Sequence, residues 1–175
     1  MTNRSDGFYV PPESQHSLTQ FADVLREITD TSNAPFFPIV DFLEWSGILY
    51  DIKDSSYMGE NLGLTKPDRI LIREDVYENA CDHKGFDRFT LTHEIVHYLK
   101  HKDYIALARR INRNDKIYCN SEWQADFAAG AILVPLHLIN TQMKPTEIAR
   151  KFGVSIKCAE IRLSILRKSK GANYN

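Results

Sequence analysis

The chain has 175 residues, enough for one well-cored domain, and 43% of them are hydrophobic, which excludes an intrinsically disordered protein. Its formal net charge of -1 excludes nucleic-acid binding through bulk charge alone, so only local basic patches have to be considered.

Three cysteines, Cys81, Cys119 and Cys158, are widely spaced and form no Cys-x-x-Cys pair, which indicates reduced thiols. The chain does not open with a basic stretch followed by an apolar run. Its longest apolar run, 127–134, is too short to span a membrane. We therefore predict a cytoplasmic protein.

The N-terminal part predicts an arm followed by two helices. Residues 1–17 are mostly polar and carry Pro11-Pro12, which predicts a loosely held, flexible arm. Apolar residues at helical spacing predict one helix over 18–29 and a second over 35–45. Both helices are expected to pack as a scaffold.

The hydrophobic period then changes. Short strands are predicted over 48–52, 57–64 and 69–72, because these runs are separated by Asp, Ser, Gly and Pro. Together they predict a small sheet. The run 57–63 is predicted as an open edge at which another strand could pair, with an ordinary hairpin as the alternative.

The next segment, 88–99, holds the pattern His-Glu-x-x-His inside an apolar helical repeat. His93 and His97 lie one turn apart, so both imidazoles can reach a single tetrahedral ion. In such zinc sites the neighbouring carboxylate, here Glu94, takes a proton from the attacking water and returns it to the leaving amine. The pattern therefore predicts half of a Zn2+ site, with Glu94 as the catalytic acid/base of a metallopeptidase.

The same helix also allows a simpler interpretation. Leu91, Ile95 and Leu99 recur at four-residue spacing and form an apolar stripe that the two histidines flank. Buried neutral imidazoles satisfied by hydrogen bonds would need no metal. A third ligand has to decide between the two interpretations.

In one known arrangement of zinc ligands, the third ligand is a His six residues after the second, with a Gly three residues after it. Here those positions after His97 hold Asp103 and Lys100. His101 lies roughly 12 Å of helix away from His93, too far to share one ion with it. The third ligand must therefore come from another element.

A second helix, predicted over 121–135, offers carboxylates. Glu122 and Asp126 are four residues apart on one face, so Glu122 can bind the ion while Asp126 accepts a hydrogen bond from a ligand histidine. The alternative is an amphipathic helix with solvated acids. Cys119 could also approach the metal, or be a structural thiol. The apolar stripe of this helix is predicted to comprise Trp123, Phe127, Ala131 and Val134.

The segment between the two helices, 102–120, is basic and is predicted to contain some helix and a turn at 113–115. It could meet an acidic substrate or be a solvated connection. A peptidase site also needs a donor to the oxyanion of the tetrahedral intermediate, for which Tyr98, Tyr118 and His137 are candidates.

The last segment, 144–166, has the pattern of a helix-turn-helix, with Gly153 at the turn and Ser155 as the cap of the second helix. Its surplus of Lys and Arg makes DNA contact one interpretation. The second helix offers few groups for base edges, which favours packing or substrate docking instead. Packing would bury Ile148, Phe152, Val154 and Leu163.

These motifs together resemble the ImmA/IrrE-type metallopeptidases, a family with a gluzincin-like zinc site. The resemblance spans roughly residues 20 to 168, and the residues that carry it are 68–72, 88–97, 122–129, 133–135, 152–155 and 162–163.

The resemblance implies a zincin-like domain in which His93, His97 and Glu122 bind Zn2+ and Glu94 is the acid/base. It also implies a substrate class, because family members are site-specific proteases that cut a transcriptional repressor. Val96 departs from the family pattern, which usually has Gly or Ala there.

We therefore predict an α+β fold, with a small twisted sheet on one side of the His93–His97 helix and the 122–134 helix beside it. A single zinc metallopeptidase domain is predicted over 18–170, with 146–166 as its helix-turn-helix-like part.

Two functional hypotheses follow. The first is a zinc endopeptidase that cuts a helix-turn-helix repressor and so relieves repression, with the edge at 57–63 binding the substrate. The second is a regulatory protein that binds a repressor, or DNA through 146–166, and whose zinc site is structural or inactive. Glu94 favours the first, because a structural site has no use for a base.

Overall fold

The computed structural model describes residues 7–106, 108–112 and 114–171. The strands are β1 (Tyr50–Lys53), β2 (Gly63–Thr65) and β3 (Ile70–Arg73). The α-helices in this part of the chain are α1 (Gln15–Ile28), α2 (Ile39–Trp45), α3 (Ser55–Met58), α4 (Glu74–Cys81), α5 (Gly85–Val96), α6 (Lys102–Ile105), α7 (Ser121–Leu133), α8 (Pro145–Phe152) and α9 (Ile156–Gly171). The predicted α+β class is confirmed.

The sheet has the order β1-β3-β2, with β1 parallel and β2 antiparallel to β3. The residues of the central strand, Ile70, Leu71 and Ile72, are all at most 3% exposed, because both faces of β3 are covered. Strand β2 lies at an edge of the sheet and packs beside α5. The small sheet predicted next to the motif helix is therefore confirmed.

The strand predicted over 57–64 is wrong for most of its length. Asp54 caps a short helix instead, since its Oδ1 atom accepts a hydrogen bond of 2.9 Å from the backbone N–H of Tyr57. Extended structure starts only at Gly63. A local side-chain cap has here overridden the β propensity of the aromatic and aliphatic residues.

The helix predicted over 35–45 begins later, at Ile39. Pro38 precedes it and disfavours helical backbone at Phe37. The helix predicted over 18–29 is confirmed and starts slightly earlier, at Gln15, because Ser14 accepts a hydrogen bond of 3.0 Å from the backbone N–H of Ser17.

Helix α7 lies in the middle of the molecule, packed against both α1 and α5. Its buried residues include Ala125, Ala128, Ala129 and Ile132. Of the predicted stripe, Ala131 and Val134 are buried, whereas Trp123 and Phe127 are only half-buried. Small alanines allow neighbouring helices to approach α7 closely on several sides. An element enclosed in this way has no single apolar stripe to reveal it.

Residues 7–13 are held against the body of the protein, which differs from the loose arm predicted over 1–17. The backbone of Tyr9 donates to the carbonyl of Arg109, and that of Val10 donates to the carbonyl of Cys119, each at 2.9 Å. Val10 is 1% exposed. Residues 1–6 of the predicted arm lie outside the described residues.

Helices α8 and α9 form the predicted helix-turn-helix. Gly153 ends α8 with a φ of 63°, a left-handed conformation that glycine adopts without strain. Ser155 caps α9, since its Oγ atom accepts a hydrogen bond of 3.2 Å from the backbone N–H of Cys158. The predicted burial of four apolar residues is confirmed for Ile148, Phe152, Val154 and Leu163, which are at most 6% exposed.

Arg88 joins this C-terminal pair to the rest of the fold and is 1% exposed. Its guanidinium donates 2.9 Å and 2.8 Å hydrogen bonds to the carbonyls of Gly153 and Phe37 and lies 3.9 Å from the ring centre of Phe36. Arg88→Met keeps the volume of the side chain but removes the donor to the carbonyl of Gly153 and one of two donors to that of Phe37, which keeps its 2.9 Å hydrogen bond from the backbone N–H of Ile39. We expect the free energy of unfolding to fall by about 3 kcal/mol in urea denaturation.

Arg69→Met is the matched control for this substitution. Arg69 forms hydrogen-bonded ion pairs with Asp51 and Asp68 at the surface, so its loss should change the free energy of unfolding by at most about 1 kcal/mol. Equal effects of the two substitutions would contradict the bridging role of Arg88.

Within the described ranges, no helix is both long enough and apolar enough to cross a membrane.

Candidate metal centre

Two helices meet at the predicted site. Helix α5 carries His93 and Glu94 in its last turn and continues at His97 into a π-helical turn, His97–His101. Helix α7 begins just before Glu122, because the Oδ1 atom of Asn120 accepts hydrogen bonds from the backbone N–H groups of Glu122 (2.8 Å) and Trp123 (3.3 Å). This cap brings Glu122 into the first turn of α7, facing α5.

The π-helical turn changes the phase of the helix. Leu91 and Ile95 are fully buried as predicted, whereas Leu99 is 39% exposed. A wider turn after His97 shifts the following side chains around the axis, so the four-residue stripe ends there.

Three side chains converge with the geometry of a metal site. One ligand atom from each of His93, His97 and Glu122 lies within 4.8 Å of the others. The Nε2 atoms of the histidines are 2.9 Å apart, and each is 3.2 Å from an oxygen of Glu122. Ligands about 2 Å from a tetrahedral ion are separated by roughly 3.3 Å, so the observed spacing fits a zinc-sized ion.

Electrostatics favours an ionised carboxylate in this cluster. Burial would raise the pKa of Glu122, but hydrogen bonds with His93 and His97 outweigh burial and hold the pKa well below its usual range. Burial would lower the pKa of His93, but hydrogen bonds with Asp126 and Glu122 raise it to about 10. A metal ion entering this cluster would therefore replace a proton on His93.

Asp126 contacts the cluster from behind. Its Oδ1 atom is 2.9 Å from Nδ1 of His93, on the opposite side of the ring from Glu122. This is the contact expected for a carboxylate that orients a ligand histidine. Among the described residues, the metal-type cluster contains neither Asp126 nor Cys119.

Glu94 is held by the edge strand. The hydroxyl of Thr65 lies 2.7 Å from Oε2 of Glu94 and 3.0 Å from its backbone carbonyl. A Cβ atom at Gly63 would lie 2.5 Å from Cγ of Glu94, so only glycine allows this approach. The sequence placed Gly63 in the predicted edge 57–63, but it linked neither Gly63 nor Thr65 to Glu94, because nothing local connects residues 31 and 29 positions apart.

A second group of polar side chains lies on the other side of His97. His101 is 1% exposed, with Nδ1 3.0 Å from Nδ1 of His97 and Nε2 3.0 Å from Oε1 of Gln124. Burial lowers the pKa of His101 to about 3. The sequence excluded His101 as a ligand, in agreement with its place outside the cluster, but its contact with His97 was missed.

The three candidates for an oxyanion donor lie in different places. The ring of Tyr98 is covered by the ammonium of Lys102 at 4.6 Å, Tyr118 is 43% exposed, and Nε2 of His137 is 2.9 Å from the carbonyl oxygen of Ser32. No hydrogen bond in the described part of the chain joins any of them to the cluster. Their oxyanion role stays a prediction.

The basic segment after α5 is partly neutralised. Arg109 forms a 2.7 Å ion pair with Asp115 and stacks 4.0 Å from the ring centre of Tyr9. The predicted turn is closed by a 3.0 Å hydrogen bond from the backbone N–H of Asp115 to the carbonyl of Asn112, and Arg113 lies outside the described residues. These contacts favour the solvated connection over an acidic-substrate site.

Comparison with models of protein families identifies the family of this chain. Residues 51–164 match the model of the peptidase family M78, described as the IrrE N-terminal-like domain. This range begins in β1, ends in α9 and includes both helices of the metal-type cluster. Comparisons with curated proteins and with solved structures gave no match. Because the family model covers more than half of the chain, the protein belongs to the M78 peptidase family of IrrE N-terminal-like domains.

Proposed function

We propose that the protein is a zinc endopeptidase that cuts a protein substrate at a specific site. The observation that carries this proposal is the convergence of His93, His97 and Glu122, with Glu94 held beside them. Within the described ranges the cluster has three protein ligands, which would leave a fourth position open, the arrangement of a catalytic zinc site. A structural site would be closed by a fourth protein ligand.

Each residue then has a distinct role. His93, His97 and Glu122 hold the ion, and Asp126 orients the ring of His93. Zinc in such a site polarises the substrate carbonyl and activates a water molecule. Glu94 accepts the proton of the attacking water and returns it to the leaving amine.

Strand β2 supports binding of an extended peptide. It is an edge strand of the sheet and directly contacts Glu94, so a segment paired along its free edge would run past the cluster. Strand addition uses backbone hydrogen bonds and therefore suits a polypeptide substrate. We therefore propose Gly63–Thr65 as the substrate-binding edge, in place of the edge predicted at 57–63.

Gly63→Ala tests the contact between β2 and Glu94. The added methyl group would displace the Glu94 side chain and break its hydrogen bond with Thr65. Because misplacement of a catalytic group by about 1 Å can cost 10²-fold, we expect turnover to fall by about 10²-fold. Zinc content, measured by metal analysis, should stay unchanged since no ligand is touched.

Gly59→Ala is the matched control, because a Cβ atom there meets no atom within 4 Å. It should retain turnover, although its φ of 59° and ψ of -126° lie outside the left-handed helical region and make alanine strained by about 1–3 kcal/mol. Normal turnover in Gly63→Ala would mean that Glu94 does not depend on this contact.

For the substrate, we propose a helix-turn-helix repressor. The support is the resemblance to ImmA/IrrE-type proteins, together with an edge strand that suits an extended linker. The test is incubation of the zinc-loaded protein with the repressor encoded beside its gene, followed by mass spectrometry. A single cut that disappears with a chelator supports the proposal, and an intact repressor contradicts it.

The alternative is a regulatory protein that binds a repressor or DNA. Helices α8 and α9 pack Ile148, Phe152 and Leu163 into the core. The exposed face of α9 carries Ile156, Glu160 and Ile161, which suit a protein contact, together with the basic Lys157, Arg167 and Lys168, which would suit phosphates. Repressor binding that persists without cleavage in the zinc-loaded protein would favour this alternative.

A further inference from the structure

The amide of Gln124 has only one orientation that satisfies its neighbours. Its Nε2 atom lies 2.8 Å from the carbonyl oxygens of both Pro11 and Tyr118. Carbonyl oxygens only accept hydrogen bonds, so both hydrogens of the amide are used there. The Oε1 atom must therefore accept the hydrogen bond from Nε2 of His101.

This orientation determines the tautomer of His101. Its Nε2 atom carries a hydrogen, so the neutral tautomer that fits this contact is the one protonated at Nε2. A neutral ring with a hydrogen on Nε2 has a lone pair on Nδ1. His101 is therefore an acceptor towards Nδ1 of His97, 3.0 Å away.

The same reasoning then determines the tautomer of His97. Its Nδ1 atom must donate to His101, so its Nε2 atom has the free lone pair. That Nε2 atom is the one that lies 3.2 Å from Glu122 and 2.9 Å from Nε2 of His93. The hydrogen-bond chain thus presents to the cluster the nitrogen that can bind a metal.

We propose that His101 and Gln124 are positioning residues, which hold His97 in its metal-binding tautomer through a relay anchored on the backbone carbonyls of Pro11 and Tyr118. This inference rests on the proposed ligand role of His97. The two ligand histidines are oriented by different chemistry. His93 faces the carboxylate of Asp126, whereas His97 faces a neutral chain that adds no buried charge.

The relay also gives the N-terminal segment a part in the metal centre. Pro11 supplies one anchoring carbonyl, and the ring of Phe8 lies 6.5 Å and 6.3 Å from the rings of His97 and His101. Both residues lie outside the range 51–164 that the family model matches. This chain therefore completes the support of a family site with residues of its own N-terminal segment.

The first test reads the tautomer directly in the metal-free protein. Long-range proton–nitrogen NMR of 15N-histidine-labelled protein distinguishes protonated from unprotonated ring nitrogens. We expect His97 to be protonated at Nδ1 in the wild type, and His101→Phe to give a mixture of tautomers. A wild-type His97 protonated at Nε2 would overturn the proposal.

The second test measures zinc affinity by competition with a chromophoric chelator. His101→Phe and Gln124→Leu should weaken binding by about 10- to 100-fold, the usual effect of losing a partner of a ligand histidine. His101→Gln keeps an acceptor for His97 and a donor for Gln124, so it should recover part of the affinity. Phe152→Leu, a core substitution in α8, controls for lost stability and should bind zinc normally.

The outcomes separate this relay from the proposed enzyme. If His101→Phe binds zinc within about twofold of the wild type, the relay is wrong while the zinc site stands. If the wild type has the expected tautomer and no zinc affinity, the relay stands and the proposed metal centre fails.

Discussion

Glu94→Gln is expected to lower peptidase turnover by about 10²- to 10⁴-fold, the usual loss when general acid/base catalysis is removed. The amide cannot accept the proton of the attacking water. It can still accept the hydrogen bond from Thr65, so the side chain should stay in place. Since Glu94 is outside the ligand cluster, zinc content should remain near one ion per chain.

Turnover and metal content have to be measured on the same preparation. Thr65→Val is a useful companion, because it removes the hydroxyl that holds Glu94 and leaves the carboxylate itself intact. It should therefore reduce turnover less than Glu94→Gln does. Normal cleavage by Glu94→Gln would show that another group is the base.

Loss of a metal ligand should lower zinc binding itself, in contrast to Glu94→Gln, which should lower turnover and leave zinc content unchanged. His97→Ala or Glu122→Ala removes one of three anchors, so zinc affinity should fall by more than the 10- to 100-fold typical of an outer contact. Asp126→Asn disturbs only the hydrogen bond with His93 and removes no ligand. Its zinc affinity should therefore lie between that of the wild type and those of the ligand variants.

Thermal unfolding provides a second measurement of the same effect. Zinc at 100 times its dissociation constant should stabilise the wild type by about 2.7 kcal/mol, because the ion binds the folded chain. The ligand variants should be stabilised by at most about 0.4 kcal/mol at that concentration, so their zinc-dependent rise in Tm should be much smaller. Full zinc occupancy in Glu122→Ala would identify a different third ligand, with Asp126 and Cys119 as the next candidates.

The limits of sequence reasoning are visible in single elements. The pairs His93 with His97 and Glu122 with Asp126 follow from helical spacing, which depends only on neighbouring residues. The strand predicted over 57–64 is wrong because one capping side chain, Asp54, stabilises a short helix there. The predicted apolar stripe of helix α7 is right only for Ala131 and Val134, because neighbours bury this helix from several sides.

The sequence by itself determined the motif helix, the second ligand helix, the C-terminal helix pair and the α+β class, because periodicity and capping act over a few residues. Only the tertiary structure decided which distant groups meet. It set Glu94 against Gly63 and Thr65, and it linked His97 through His101 and Gln124 to the carbonyl of Pro11. Such contacts join residues far apart in the chain, so only the packing of the elements can establish them.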